Sequence, residues 1–239
     1  MIQFIPETGS TNTDLATRIR GGEAVAEGFW LVADRQSTGK GRLGRVWHDG
    51  AGNFMGSTVV RPGFGDPPAP TLALAAGLAV QSVVATLLPS ERRALLKWPN
   101  DLLIGHAKMA GILLESCGEA VIVGIGVNLV SVPDLPERAV VSLADLGLCC
   151  PRDDFAPMLA RAFDLELERW RTFGLEPLVP RWIAAAHPAG TLLSVNSGHE
   201  TPLCGTFAGL TPDGALQLRL ANGTCHTIHA GEVSLAEQD

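Results

Sequence analysis

The uncharged segment from residue 71 to residue 90 limits the possible folds of this chain more than any other feature. A segment of this kind must be buried, either in a membrane or in a protein core. It is rich in alanine and also contains Gln81, Ser82 and Thr86. Because it is short for a bilayer and carries these polar side chains, it predicts a buried helix over 71–88. We therefore expect a globular core built around that helix.

The composition of the 239-residue chain is that of a soluble globular protein, with 46% apolar residues, 18% charged residues and a net charge of -7. Such a balance excludes disordered and collagen-like chains, and it excludes a protein that coats nucleic acid, because phosphate binding needs a basic face. A small local cluster of positive charge is still compatible with it. The five cysteines lack C-x-x-C spacing and the N-terminus lacks a signal peptide pattern. We therefore predict reduced thiols in a cytoplasmic protein without a dedicated metal site.

The hydrophobic pattern changes near residue 187, and this change divides the chain into two predicted domains. Before it, the pattern predicts helices at 10–20, 71–88, 153–172 and 176–186 and strands at 29–33, 54–60, 94–98, 101–104, 108–116 and 120–130. After it, short β-type runs separated by glycine-containing turns predict a small barrel of about 50 residues. We predict an α/β domain over 1–187 followed by a β domain over 188–239.

A glycine- and arginine-rich stretch at residues 36–53 follows the predicted strand at 29–33. Its glycines match the dinucleotide pattern G-x-G-x-x-G, but a tryptophan and further glycines follow where a helix should begin. It is not a Walker A loop either, because glycine follows Lys40 where Ser or Thr should bind magnesium. Lys40, Arg42 and Arg45 could instead surround an anion together with backbone N–H groups. The alternative is a solvated basic loop.

A second motif, KWPND at residues 97–101, combines a lysine, an aromatic face, a rigid turn and an amide beside a carboxylate. It could hold a nucleotide phosphate and its metal, or it could be a packed tryptophan beside a surface turn. The chain has three lysines against fifteen arginines, and all three, Lys40, Lys97 and Lys108, lie in or near these two motifs. A compact ammonium and a flat guanidinium serve different chemistry, which supports a shared site.

Two further motifs are less specific. The strand ending in GIGVN at residues 124–128 contains two glycines, which often mark a close backbone approach, and its asparagine could bind an adenine or ribose edge. A tight core strand with a turn asparagine is the alternative. Ser10, Thr11 and Asn12 could bind a polar ligand group or could cap the helix at 10–20.

Together these motifs resemble the biotin–protein ligase family. The matching segments, in family order, are STN from residue 10, GKGRLGRVW from 39, KWPND from 97, KMAGILLE from 108 and GIGVN from 124. The resemblance implies an α+β fold. Its catalytic domain would have a mixed sheet with helices, like that of class II aminoacyl-tRNA synthetases, and a small SH3-like β-barrel would follow. Because STN begins at residue 10, it implies a ligase without the N-terminal DNA-binding repressor domain.

The resemblance also implies a two-step reaction. The biotin carboxylate attacks the α-phosphate of ATP, with Mg²⁺ bound, to give biotinyl-5′-AMP and pyrophosphate. A lysine of a biotin carboxyl carrier protein then accepts the acyl group. That carrier, a subunit of acetyl-CoA carboxylase or a domain of another biotin-dependent carboxylase, is the implied partner. A homodimer is common in the family, whereas no DNA or membrane partner is expected.

Each candidate residue receives its role from its motif position in that family. The residues implied to hold the ureido ring of biotin are Ser10, Thr11, Asn12 and Gln36. The loop over 39–47 would close over the adenylate, with Gly39, Lys40 and Arg42 near the carboxylate and phosphate, Arg45 toward the triphosphate and Trp47 against adenine. The residues implied to contact ATP are Lys97, Asn100 and Asn128, and Asp101 would support magnesium or the acceptor lysine.

Lys108 is the strongest catalytic candidate, together with Arg42 and Lys40. It would stabilise negative charge on the biotin carboxylate and on the α-phosphate in the transition state. Gly111 and Ile112 would line the biotin pocket. Lys40 departs from the arginine of many members, and a single ammonium cannot make a bidentate contact, which implies weaker retention of the adenylate.

Two other functions are weighed against this one. A lipoate or octanoyl ligase would share the fold and the carrier-lysine chemistry, but the R-R-x-x-G-G-G loop of lipoate ligases is absent from the sequence. A biotin-responsive regulatory protein without catalysis is the second alternative, against which the intact Lys108 and KWPND motif argue.

Overall fold

A computed structural model describes residues 1–135, 139–196 and 201–236 of the chain. In these ranges the helices are α1 (Thr11–Arg20), α2 (Leu72–Leu87), α3 (Arg152–Phe173) and α4 (Leu178–Ala185). The strands are β1 (Ile2–Thr8), β2 (Trp30–Gln36), β3 (Phe54–Val60), β4 (Ala94–Lys97), β5 (Asp101–Ile104), β6 (Ala107–Cys117), β7 (Ala120–Val127), β8 (Leu192–Asn196), β9 (Leu203–Leu210), β10 (Leu216–Arg219), β11 (Cys225–Ile228) and β12 (Glu232–Leu235). The predicted helices agree within two residues at each end, and the predicted strands within three.

The first seven strands form one mixed sheet in the order β1-β2-β3-β7-β6-β5-β4. β1 and β2 are parallel, and the other neighbours are antiparallel. The chain therefore has the expected α+β fold. The sequence analysis missed β1, because this edge strand has exposed and half-buried side chains and contains Pro6, which is tolerated at a sheet edge but masks a strand pattern.

The predicted core helix is confirmed as α2. Leu72, Ala75 and Ala79 are fully buried in it, and it packs against α3, α4 and the sheet. Within the described parts of the chain, Ala69–Leu87 is the one segment long and apolar enough to cross a membrane, with a mean hydropathy of 1.6 and 61% of its most apolar window buried. A core helix has the same length and composition, and this burial is what its lack of charge requires.

The change of pattern near residue 187 corresponds to the start of a second, antiparallel sheet in the order β11-β10-β9-β8-β12. Its apolar side chains, among them Val195, Phe207 and Leu216, belong to the same hydrophobic core as α2. The two sheets therefore pack together rather than forming separate cores. The division at 187/188 and the SH3-like barrel stay predictions, and residues 197–200 and 237–239 of the second predicted domain lie outside the described residues.

All five cysteines lie in the described ranges and are unpaired, as the reduced-thiol prediction requires. Cys117 and Cys150 are buried and the other three are exposed.

Candidate functional site

A cleft opens between the seven-stranded sheet, the loop over residues 39–47 and β12, whose residues Glu232 and Val233 form part of its wall. Every predicted site residue lines it except Gly39. Those residues are Ser10, Thr11, Asn12, Gln36, Lys40, Arg42, Arg45, Trp47, Lys97, Asn100, Asp101, Lys108, Gly111, Ile112 and Asn128. Gly39, at the start of the loop, is packed against its other end, because a Cβ atom there would come within 2.6 Å of the Trp47 carbonyl oxygen.

One end of the cleft is lined by hydrogen-bonded uncharged side chains, one of which donates to a carboxylate outside the cleft wall. We call this group the amide cluster; it consists of Thr11, Asn12, Gln36, Ser57 and Glu115. Gln36 Oε1 accepts from the Thr11 backbone N–H at 2.7 Å, and Ser57 Oγ donates to Asn12 Oδ1 at 2.5 Å. Asn12 Nδ2 donates to Glu115 Oε2 at 2.7 Å. Short side chains on regular elements thus present several donors and acceptors to a ligand.

The N-terminus of α1 positions two members of this cluster. Ser10 has extended backbone and caps the helix, and its Oγ accepts from Thr13 N–H at 3.5 Å. The capping alternative for Ser10 and its place in the cleft wall are therefore both correct. Thr11 and Asn12 follow in the first turn and are buried. A Cβ atom at Gly124 would lie 2.4 Å from Asn12 Oδ1, so β7 needs glycine there for the asparagine to fit.

The other end of the cleft contains Asp101 between two lysines. Lys97 and Asp101 are cross-strand partners at the end of the β4–β5 hairpin, and their Nζ and Oδ2 atoms are 3.0 Å apart. Lys108 Nζ forms an ion pair with Asp101 Oδ1. All three side chains are at least 87% buried, since their exposed fractions are 10%, 6% and 13%. We call Lys97 and Lys108, held by this carboxylate, the lysine pair.

A β-bulge in β6 turns Lys108 into the cleft. β5 pairs Leu102 with Ala110 but Leu103 with Lys108, so Met109 is an extra residue in β6. Met109 and Ala110 both point into the core, and Lys108 and Gly111 both line the cleft. In a regular strand Lys108 and Ala110 would share a face. The bulge therefore puts the ammonium group on the same side as Gly111.

Trp47 lies on a floor made by two glycines. Gly111 and Gly126 are cross-strand partners in β6 and β7, and a Cβ atom on Gly126 would come within 2.3 Å of the indole. Lys108 Nζ is 5.7 Å from the ring centroid. Trp47 Nε1 is buried with no hydrogen-bond partner among the described residues, and a buried donor of this kind is satisfied at low cost by a ligand acceptor.

The loop over 39–47, which we call the cation loop, is tied to both sheets. Arg42 Nη1 donates to Asn100 Oδ1 at 3.1 Å, and its Nη2 donates to the Gly231 carbonyl at 3.2 Å. Arg45 forms an ion pair with Glu232. Burial lowers the pKa of Arg42, so a bound anion would be favourable there. Arg42 is thus not part of a solvated basic loop, although Lys40 remains exposed.

Five cations and two carboxylates line the cleft, so its wall carries an excess of positive charge in a protein whose net charge is -7. The cations are Lys40, Arg42, Arg45, Lys97 and Lys108, and the carboxylates are Asp101 and Glu232. This excess suits a ligand with several negative charges, such as a triphosphate.

The cleft residues do not form a dedicated metal site. Both oxygens of Asp101 already face lysine ammonium groups, and Glu232 pairs with Arg45. No group of three or more His, Cys, Asp or Glu residues in the described ranges could hold a metal ion. A magnesium ion here would therefore enter with the phosphates of a nucleotide, which is its usual mode of binding in nucleotide sites.

The remaining predicted contacts have structural partners. Asn128 Nδ2 donates to the Val141 carbonyl at 3.3 Å, and its backbone N–H donates to Met109 O at 2.9 Å. The sequence left Trp98 open as an aromatic face for a nucleotide or as a packed side chain. Trp98 is buried, and its Nε1 donates to the Gly214 carbonyl at 3.1 Å. The packed-tryptophan alternative is therefore correct for Trp98, because its ring belongs to the hydrophobic core.

The sequence analysis missed three contributors to the site. Ser57 could have been found as a polar residue in an otherwise apolar strand, and Glu115 as the last residue of the KMAGILLE motif. Asn53 fixes the segment after Asn128, because its Oδ1 accepts from three successive backbone N–H groups. Glu232 and Val233 of β12 also line the cleft, and no motif in the sequence indicated them.

Comparison with known proteins agrees with this architecture. Residues 4–129 match the Biotin/lipoate A/B protein ligase family, and residues 194–236 match the Biotin protein ligase C terminal domain. The chain is 35% identical to a biotin--[acetyl-CoA-carboxylase] ligase of Paracoccus denitrificans, over 96% of this chain and 98% of that one. It is 32% identical to the ligase of the same name from Mycobacterium tuberculosis, over 97% of this chain and 88% of that one.

A solved structure gives the same result for the fold. Biotin protein ligase from Aquifex aeolicus in complex with biotin and ATP superposes with a TM-score of 0.85 at 25% identity, over 99% of both chains. The match covers both sheets and both sides of the cleft. The chain belongs to the Biotin/lipoate A/B protein ligase family and carries the C-terminal domain of the biotin protein ligases.

Proposed function

We propose that this protein is an ATP-dependent biotin–[acetyl-CoA-carboxylase] ligase that attaches biotin to one lysine of a biotin carboxyl carrier protein. The observation that supports it best is that the four uncharged side chains of the amide cluster and the lysine pair line one cleft. Biotin has the same division, with an uncharged ureido ring at one end and a carboxylate at the other. The named relatives and the Biotin protein ligase C terminal domain support the choice of biotin.

The spacing along β7 fits a molecule with these two ends. Gly124 lies under Asn12, and Gly126 lies opposite Gly111, beside Lys108. Two residues along a strand span about 7 Å, and the side chains extend this distance. A ureido ring on the amide cluster therefore leaves the acid tail near the Lys108 ammonium group.

In the first step, one oxygen of the biotin carboxylate attacks the α-phosphorus of MgATP. The new P–O bond forms as the bond to the β-phosphate oxygen breaks, which gives biotinyl-5′-AMP and releases pyrophosphate. Lys108 stabilises the negative charge shared by the carboxylate and the α-phosphate, and Arg42 and Lys40 assist it from the cation loop. Lys97, Asn100, Arg45 and Asn128 hold the nucleotide, and Trp47 packs against its base.

In the second step, the acceptor lysine amine attacks the acyl carbon, an amide bond forms and AMP leaves. We assign Asp101 the task of orienting the lysine pair, because its two oxygens face Lys97 and Lys108. We also assign this carboxylate the task of stabilising the acceptor ammonium group before its proton is lost. The need for ATP and a carrier protein supports the cytoplasmic location that the sequence predicts. The homodimer stays a prediction.

The decisive experiment compares two acids. The protein is incubated with MgATP, a carrier domain and either labelled biotin or labelled lipoate, and both pyrophosphate release and the labelled carrier are measured. We expect transfer of biotin alone. Transfer of lipoate would show the other branch of the family, and biotin binding without pyrophosphate release would show a regulatory protein without catalysis.

A further inference from the structure

Glu115 belongs to the amide cluster, yet the proposed reaction gives it no task. Its Oε2 accepts from Asn12 Nδ2 at 2.7 Å, and Asn12 Oδ1 is 2.5 Å from Ser57 Oγ. Ser57 Oγ is in turn 2.6 Å from Thr11 Oγ1, and the Thr11 backbone N–H donates to Gln36 Oε1 at 2.7 Å. These contacts make one chain from the carboxylate to the amide of Gln36.

The Glu115 carboxylate fixes the direction of the hydrogen bonds between side chains in this chain. A carboxylate only accepts, so Asn12 must turn its NH₂ group toward Glu115 and its carbonyl oxygen toward Ser57. That oxygen also only accepts, so Ser57 uses its single hydrogen on Asn12. The short contact between the two hydroxyls then carries the Thr11 hydrogen. The longer, 3.0 Å approach of Thr11 Oγ1 to Gln36 Oε1 is left without a hydrogen.

This direction determines what the cluster offers to a ligand. The second N–H of Asn12 and the NH₂ group of Gln36 are donors that the chain does not use, and lone pairs on Thr11 and Ser57 are acceptors that it does not use. All four residues line the cleft. A cyclic urea is complementary, because it presents one carbonyl acceptor between two N–H donors.

We infer that Glu115 is a positioning residue that fixes the orientation of Asn12 and so makes the amide cluster selective for a cyclic urea. This inference rests on the proposed function. Glu115 reaches Asn12 because it lies on the same face of β6 as Gly111 and Leu113, the face that lines the cleft. Leu113 is the cross-strand partner of Gly124, against which Asn12 packs.

The test replaces the carboxylate by an isosteric amide. In Glu115→Gln the new side chain can either accept from or donate to Asn12, so the asparagine can turn over. Calorimetric titration with biotin, without ATP, should give a Kd raised about tenfold, as expected for the loss of one hydrogen bond to a charged group. The KM for biotin should rise while kcat for pyrophosphate release and the KM for ATP stay unchanged.

The matched control is Glu119→Gln, which removes the same charge from an exposed position in the β6–β7 turn. We expect it to leave the biotin Kd unchanged. A double-mutant cycle with Asn12→Ala then separates positioning from a general structural effect. If Glu115 acts through Asn12, Glu115→Gln has little further effect in the Asn12→Ala background.

Two outcomes would overturn the positioning role alone, with wild-type biotin binding intact. One is an unchanged biotin Kd in Glu115→Gln, and the other is an equal loss in the presence and absence of the Asn12 side chain. A wild-type protein that bound lipoate and not biotin would overturn the proposed function, and this inference with it. The wild-type titration therefore distinguishes the two failures.

Discussion

The amide cluster stands on α1, β2, β3 and β6, whereas the arginines at the other end of the cleft stand on the cation loop. Members of the amide cluster form hydrogen bonds to one another, with distances of 2.5 to 2.7 Å. Arg42 and Arg45 instead bond to Gly231 and Glu232, far away in the sequence. The amide cluster is therefore held by contacts among its own members, whereas the two arginines depend on residues at the start of β12 in the second sheet.

In the proposed function, this difference assigns the recognition of biotin to the amide cluster and the handling of ATP to the cation loop. Groups fixed on regular elements lose little freedom when a ligand binds, so they are suited to selecting a neutral ring. Loop residues with partly exposed side chains open more easily, so they are suited to admitting ATP and releasing pyrophosphate. The lysine pair lies at the same end as the cation loop, but it stands on β4 and β6, with Lys108 beside the Trp47 indole.

The largest loss of activity is expected at Lys108, which would contact both the biotin carboxylate and the α-phosphate of ATP. Lys108→Ala is expected to lower kcat for pyrophosphate release by about 100-fold or more, the usual effect of removing one positioned charge donor. The fold should be retained, because Asp101 keeps its ion pair with Lys97. Pyrophosphate release near the wild-type rate, with an unchanged Tm, would contradict the assignment.

A methyl group under the amide cluster should disrupt recognition. In Gly124→Ala the added Cβ would lie 2.4 Å from Asn12 Oδ1, and Asn12 cannot yield without leaving Glu115 and Ser57. We expect the biotin Kd to rise about tenfold or more while ATP binding is preserved. Gly63→Ala, in an exposed loop with room for a Cβ atom, is the matched control. A larger effect on ATP than on biotin would be inconsistent with rigid recognition.

A glycine-to-alanine substitution beneath Trp47, at the other end of the cleft, should weaken substrate binding less. In Gly126→Ala the added Cβ would meet the Trp47 indole at 2.3 Å, but the cation loop can shift to relieve the clash. The KM for ATP is expected to rise severalfold, with a smaller effect on the biotin Kd. Equal losses in Gly124→Ala and Gly126→Ala, measured by titration with each substrate, would remove the distinction between the two ends.

The smallest effect is expected at the contact between the cation loop and β12. The Arg45 and Glu232 side chains are 49% and 32% exposed, so their ion pair is screened by water. Glu232→Gln should change the free energy of unfolding by about 0.5 kcal/mol or less. Thermal denaturation measures it, and a loss of several kcal/mol would show that this contact holds the two sheets together.

Much of the fold could be predicted because its signals are local. The uncharged run of α2, the short β-type runs between glycine-containing turns after residue 187 and the Ser10 cap depend on neighbouring residues and appear directly in the sequence. β1 was missed because an edge strand with Pro6 lacks a buried face. The place of Trp98 stayed open because a buried aromatic ring and a ligand-binding ring look the same in sequence.

The candidate site could be predicted as a set of residues but not as an arrangement. The motifs identified fifteen residues that line the cleft, and the scarcity of lysine pointed to the same region. Glu115 was in a quoted motif but had no role, because its hydrogen bond joins residues 103 positions apart. Such a contact leaves no periodic trace along the chain.

The sequence by itself determined the core helix, the order of the strands along the chain and the residue types available for chemistry, since hydropathy and motif spacing act over short distances. Only the tertiary structure decided that Lys108 faces the cleft, because one extra residue in β6 reverses the alternation of its side chains. It also decided that β12 closes the cleft over Arg42 and Arg45. Both outcomes depend on how distant strands pair, and local propensity does not specify that pairing.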